Sequence, residues 1–235
     1  LILRQPRVSR VVLGEARVAA PVREVARRVT GVVLAAGESR RMGTNKLLLP
    51  WGETTVLGRT LANVGAAAMH DVLLITGHER ERVEAMAGRA WDATRAEEPA
   101  SGSGEQLPML FNRDYANGML TSVQAAVRAL PASAEAILVM LGDQPMVTTD
   151  TIDRLLHAYA ATPAGLVAPY YGGRRGNPVI IDRRYFDELL ALPADAAPRA
   201  LLARHTDDLL AVAVEDEAVL IDLDRPEEYE RRRPV

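Results

Sequence analysis

From residue 30 onward the chain repeats one device: a short, β-branched apolar run, then a polar loop, then a stretch with helical spacing. The runs fall at residues 32–35, 72–75, 137–141, 166–168, 179–181, 210–214 and 219–221. They mostly do not alternate apolar with polar residues, which is the pattern of strands covered on both faces. Between them, Val123, Ala126, Val127 and Leu130 share one helical face, as do Ile152, Leu155, Leu156 and Tyr159. Strand, helix, strand in repetition specifies an α/β fold with a doubly wound, mostly parallel sheet. In such sheets ligands bind beyond the carboxyl ends of the strands, so chemistry is expected in the loops that follow the runs.

Composition narrows that chemistry. There is no Cys, which excludes a disulfide scaffold, a cysteine nucleophile and thiolate-bound metal. The four His stand apart at 70, 78, 157 and 205, too scattered for a histidine metal cage. A net charge of −3 supplies no basic field for nucleic acid, and no apolar stretch approaches the ~18 residues that span a bilayer. The expectation is a cytoplasmic globular protein with a small-molecule substrate and neither nucleic acid nor membrane as partner. Residues 1–29 carry Arg4, Arg7, Arg10, Arg17, Arg23, Arg27 and Arg28 without the apolar core of a signal peptide. They are expected to form an Arg-rich extension, with residues 21–29 making one or two amphipathic turns, ahead of a domain over 30–235.

Of 28 basic residues, one is a lysine, Lys46. It closes the loop after the first run: Leu34-Ala35-Ala36-Gly37-Glu38-Ser39-Arg40-Arg41-Met42-Gly43-Thr44-Asn45-Lys46. Small residues let backbone amides approach phosphate oxygens, while Arg41 and Lys46 supply the positive charge a triphosphate requires. The spacing is neither that of a Walker A loop nor that of the dinucleotide fingerprint. As the charge of an exposed loop, Lys46 is expected to matter for binding and to support little of the core.

Further along, Gly142-Asp143-Gln144-Pro145 follows a buried run, so Asp143 either caps a turn or offers a carboxylate to Mg²⁺. Residues 112–122 open a helix; amides and hydroxyls there, with Asn112, Gly118 and Ser122 as candidates, face a ligand edge, or Thr121 or Ser122 is an ordinary helix cap. Arg175 and Asn177 precede another run and either meet an anionic substrate or belong to a solvated turn. Asp222 and Asp224 stand at the exit of the last run, where one of them is a candidate second metal ligand and Pro226-Glu227-Glu228 starts a helix.

Together these residues resemble the molybdenum cofactor nucleotidylyltransferase family over about residues 30–232. The most specific match is Leu34-Ala35-Ala36-Gly37-x-Ser39-x-Arg41-Met42-Gly43-x-x-Lys46 with Leu48-Leu49-Pro50. The resemblance implies a Rossmann-like, three-layer α/β/α nucleotidyltransferase fold. It also implies that Leu34, Ala35, Ala36, Gly37, Arg41 and Lys46 bind the triphosphate, and that Asp143 binds Mg²⁺. Asn112 to Met119 match a segment implied to contact base or ribose, Gly176 to Pro178 match a Gly-Asn-Pro motif, and Asp224 to Glu227 match the closing Asp-x-Pro-Glu box. The sequence departs from the family at 194–199, where the inner Gly-Ala of a Gly-Asp-x-Gly-Ala-Arg loop becomes Ala197-Pro198. The Ala-Ala-Gly triplet and Gln144 favour the cytidylyl over the guanylyl branch. The implied activity is Mg²⁺-dependent transfer of CMP, or less readily GMP, from CTP or GTP to a phosphorylated acceptor such as molybdopterin. A molybdoenzyme would then receive the product. A sugar- or polyol-phosphate nucleotidyltransferase and an NAD(P)H-dependent reductase on the same fold are the alternatives.

Overall fold

The computed structural model describes residues 9–13, 23–97, 106–193 and 196–234. Strands β1 (Ser9–Leu13) and β2 (Arg23–Arg27) pair as an antiparallel ribbon of their own. The expected amphipathic turns over 21–29 are therefore corrected: residues 23–27 are extended and Val29 already begins the next strand. Pairing with a partner ten or more residues away overrides local spacing here. The other N-terminal residues, including Arg4, Arg7 and Arg17, lie outside the described residues.

The main body follows in order as β3 (Val29–Ala35), a small hairpin of β4 (Pro50–Trp51) and β5 (Thr54–Thr55), α1 (Val56–Ala66), β6 (Asp71–Thr76), α2 (Arg80–Glu97) and β7 (Met109–Phe111). Next come α3 (Met119–Ala129), β8 (Ala136–Leu141), α4 (Thr149–Ala161), β9 (Leu166–Tyr171), β10 (Arg174–Arg175) and β11 (Val179–Asp182). Then α5 (Phe186–Ala191), α6 (Arg199–Arg204), β12 (Leu209–Ala213) and α7 (Pro226–Arg232) complete the chain. The sheet runs β10-β9-β11-β8-β3-β6-β7, with β12 alongside β9. β8, β3, β6 and β7 are parallel, so their carboxyl ends line one edge; β11 runs antiparallel and starts at that same edge.

Successive residues of β3 feed opposite cores. Val33 packs with Leu61, Val64, Leu138, Ile152 and Tyr159 on the face covered by α1, α2 and α4. Val32 packs with Val123, Ala126, Val139, Phe186 and Leu201 on the face covered by α3, α5 and α6. Helices thus cover both faces, and the α/β, doubly wound, three-layer arrangement expected from the sequence is the one found. One run departs. Residues 219–221 do not form a strand; Glu217–Leu220 is a 3₁₀ turn whose start is capped by the Asp216 side chain on Ala218 N–H at 2.9 Å.

Candidate active site

Three segments converge at the carboxyl edge. The first is the loop after β3. Ser39 and Gly43 take positive φ, turning the chain back so that Ser39 Oγ accepts from Lys46 N–H at 3.2 Å. Asn45 is buried and accepts Leu47 N–H at 3.2 Å, while the Leu47 side chain enters the core. The backbone of Lys46 is therefore held from both sides.

The second segment follows β8. Gly142 N–H donates to Leu34 O at 2.9 Å, and a Cβ at Gly142 would stand 2.8 Å from that oxygen. Only glycine lets the ends of β3 and β8 approach this closely, and the approach aims Asp143 at the loop. The third segment is 221–224. Leu223 is fully buried against Trp51, Val56 and Tyr229, so Asp222 and Asp224 flank an anchored residue.

The outcome is a compact charge cluster. Lys46 Nζ donates to Asp143 Oδ2 and to Asp224 Oδ1, the latter at 2.7 Å. Arg41 meets Asp224 Oδ2 at 2.9 Å. Asp222 turns aside and accepts from Gln144 Nε2 at 2.9 Å. Lys46 is only 14% exposed, which corrects its expected character as an exposed loop charge. Burial by itself would lower its pKa, but Asp143 and Asp224 more than offset that and hold it above the ordinary lysine value. Asp224 is held below the usual carboxylate range because Lys46 and Arg41 outweigh its own burial. Asp222 goes the other way: burial, with Asp143 and Asp224 nearby, pushes it up to about 6.

The cluster forms one wall of a cavity of about 490 Å³. Leu34, Ala36, Gly37, Arg41, Lys46, Gly118, Ser122, Asp143, Asp222 and Asp224, all singled out from sequence, line it, as do Tyr115 and Met119 from the segment matched to base or ribose contact, and Ser39. Four singled-out residues lie elsewhere. The Ala35 side chain packs into the core beside Leu47. Asn112 is buried and spends its amide on Thr121 and Ser122. Arg175 closes β10, paired with Tyr170 of β9, and Asn177 lies in the turn that leads into β11; both are outside the cavity lining. There Asn177 N–H donates to Val219 O at 2.9 Å, and Gly176 packs so tightly on Val219 that an added Cβ would sit 2.3 Å from its oxygen. This turn is a seat for the segment that carries Asp222 and Asp224. Gln144, read from the sequence only as a mark of the cytidylyl branch, is fully buried and its amide holds Asp222; spacing gave no sign of that bond. In the 194–199 loop, Ala194 and Asp195 lie outside the described residues.

Among the described residues no three carboxylates or imidazoles form a ready-made metal cage. Asp143 and Asp224 nevertheless share one cation, the Lys46 ammonium. Two carboxylate groups facing a polar cavity suit a hard divalent ion that takes its remaining ligands from phosphates and water. The residues therefore fit such an ion.

The class that such a sheet, with its site at the carboxyl edge, takes here is that of the nucleotidyltransferases, as the family match shows. The chain belongs to the MobA-like NTP transferase domain family, whose model matches residues 31–209. It is 27% identical over 198 residues to a molybdenum cofactor cytidylyltransferase of Escherichia coli (strain K12), covering 84% of this chain and 92% of that one. It is also 27% identical over 212 residues to nicotine blue oxidoreductase of Paenarthrobacter nicotinovorans, covering 86% and 95%. Among solved structures, Rv0371c of Mycobacterium tuberculosis H37Rv, in complex with manganese, superposes with a TM-score of 0.68 at 29% identity, covering 87% of this chain and 97% of that one. No helix among the described residues is long and apolar enough to cross a membrane.

Proposed function

We propose that the protein transfers CMP from CTP to a terminal phosphate of molybdopterin, in the cytoplasm, with Mg²⁺ as cofactor and pyrophosphate as the second product. The observation that carries this reading is the Lys46–Asp143–Asp224–Arg41 cluster at one end of a cavity large enough for a nucleotide. The Ala35-Ala36-Gly37 triplet supports CTP over GTP.

The chemistry follows from charge. An oxygen of the acceptor phosphate forms a bond to the α-phosphorus, and the bond from that phosphorus to the bridging oxygen of the β-phosphate breaks, releasing pyrophosphate. The attacking oxygen is already anionic, so no protein base or nucleophile is required. Asp143 and Asp224 would hold Mg²⁺, which when bound neutralises phosphate charge. Lys46 and Arg41 leave their carboxylate partners for the β- and γ-phosphates and stabilise the departing pyrophosphate. Amides of the 34–37 loop orient the triphosphate from the other side.

Pyrophosphate release measured with each of the four nucleoside triphosphates, with and without molybdopterin and Mg²⁺, tests the reading. CTP with molybdopterin is expected to give the fastest release; release with a sugar or polyol phosphate in place of the pterin would name another acceptor. One similarity favours a second reading, that to the oxidoreductase. Oxidation of NADPH without any divalent cation would favour that reading over nucleotidyl transfer.

A further inference from the structure

The uncharged part of the cavity lining has its own hydrogen-bond logic. Asn112 Oδ1 accepts from Asp114 N–H at 3.0 Å. A backbone N–H can only donate, so this bond fixes which end of the amide is oxygen. Nδ2 is then the donor to Thr121 Oγ1 and to Ser122 Oγ, both at 2.9 Å. Thr121 gives its one proton to the carbonyls of Gly118 at 2.8 Å and Asp114 at 3.0 Å. Ser122 is different. It is buried, it lines the cavity, and its oxygen is taken from the protein side by Asn112. Among the described residues no acceptor takes its hydroxyl proton within hydrogen-bond distance, so that proton is left for the cavity.

We infer that Asn112 is a positioning residue that sets the Ser122 hydroxyl as a fixed hydrogen-bond donor to the nucleobase, and thereby favours a base with a ring-nitrogen acceptor. The inference rests on the reading that a nucleoside triphosphate fills the cavity. The charged side chains Arg41, Lys46, Asp143 and Asp224 gather at one wall and claim the phosphates, whereas Ser122 stands among the uncharged Tyr115, Ala116, Gly118 and Met119. Cytosine offers ring N3 as an acceptor; uracil carries a hydrogen there. A donor held in place therefore favours CTP over UTP. Asn112→Asp reverses the device: a carboxylate takes the Ser122 proton and turns the hydroxyl lone pairs toward the ligand.

The test is calorimetric titration of CTP and UTP into wild type, Asn112→Asp, Ser122→Ala and the double variant, with melting curves for each. Wild type is expected to prefer CTP. Asn112→Asp and Ser122→Ala should each weaken CTP by about tenfold, the size of one hydrogen bond, and Asn112→Asp should narrow or invert the preference over UTP. Added to Ser122→Ala, Asn112→Asp should change CTP affinity less than twofold while still lowering the melting temperature. Thr121→Val, which cuts the other arm of Asn112, should leave CTP within twofold. Should Asn112→Asp fail to fold, Asn112→Ala completes the same cycle. An Asn112 variant that weakens CTP equally with and without the Ser122 hydroxyl overturns the inference, as does a tenfold loss in Thr121→Val. Wild type that binds GTP in place of CTP refutes the cytidylyl reading alone, because the cycle run with GTP still reads the coupling. Binding of no nucleoside triphosphate overturns both.

Discussion

At the scale of the residue, Lys46 ties binding to folding. Its ammonium is the counter-ion of two carboxylates in the free protein and the proposed partner of two phosphates in the complex. Lys46→Ala should weaken CTP by roughly 10- to 150-fold, the loss of a charge-assisted bond. It should also lower the melting temperature by roughly 2–8 °C, from about 1–2 kcal/mol, because Asp143 and Asp224 are left facing each other; Asp224 keeps the cost modest by reaching solvent. Lys46→Arg should recover only part of the affinity, since a planar guanidinium does not follow a departing phosphate as a point charge does. Calorimetry beside ligand-free melting curves measures both, and an unchanged melting temperature would contradict the structural half. Asp143→Asn should cut turnover by well over tenfold, more than about 1.4 kcal/mol of barrier, with the fold intact by circular dichroism; activity within tenfold would remove Asp143 from the metal site. Asp222 gives a pH prediction. Its folded pKa of about 6 stands above the ordinary carboxylate value of 3.8, so the folded state holds the proton more tightly than the unfolded chain. The stabilisation this provides is full below pH 3.8, is lost as pH rises from there through about 6, and is gone at neutral pH, where the charged, half-buried carboxylate is a burden. Asp222→Asn keeps the acceptor for Gln144 and should raise the ligand-free melting temperature at pH 7.5, and clearly less at pH 4.5. A gain equal at both pH values would contradict the assignment.

At the scale of the element, the least conspicuous pieces carry the site. The 3₁₀ turn Glu217–Leu220 and the residues after it present Asp222 and Asp224, and the Gly176-Asn177 turn supports them through Val219. Gly176→Ala would press a methyl group into the Val219 carbonyl. Overpacking of this kind costs about 1–3 kcal/mol and here would displace the carboxylate segment. Turnover should fall at least tenfold in a folded protein, although position 176 lines no part of the cavity; pyrophosphate release and a melting curve check it, and full activity would show that the seat does not matter. This dependence was hidden in the sequence, where a Gly-Asn-Pro turn reads as a surface loop whether or not it braces another segment. The apolar run at 219–221 misled for a related reason. Its hydrophobic side chains are buried, as expected, but the start of β11 beside it is already paired with β8 and β9, so no strand edge is free to receive it. Asp216, two residues before the capped amide of Ala218, was the local sign of a turn. β7 was missed because three residues carry no periodicity.

At the scale of the whole molecule, the central strands were legible because burial on both faces leaves an unmistakable mark: β3, β6, β8, β9 and β11 all coincide with apolar runs. The rule that ligands lie beyond strand carboxyl ends then located the loops after β3 and β8 before any coordinates. What sequence did not disclose is which polar residues face the ligand and which face one another. Asn112 and Ser122 belong to one motif, yet one is spent on internal hydrogen bonds and the other opens to the cavity. Such a division depends on rotamer and tertiary neighbours, not on spacing. The fold brings a cation-bearing loop from β3, a carboxylate from β8 and a second carboxylate from the C-terminal segment into one charged wall, and the proposed chemistry there is attack at the α-phosphorus. Parallel incubations of the protein with molybdopterin, Mg²⁺ and CTP labelled in either the α- or the γ-phosphate test this most directly. The α-label is expected to move to the pterin and the γ-label to appear only in pyrophosphate. Transfer of the γ-label to the pterin, or release of both labels with none on the acceptor, would contradict it.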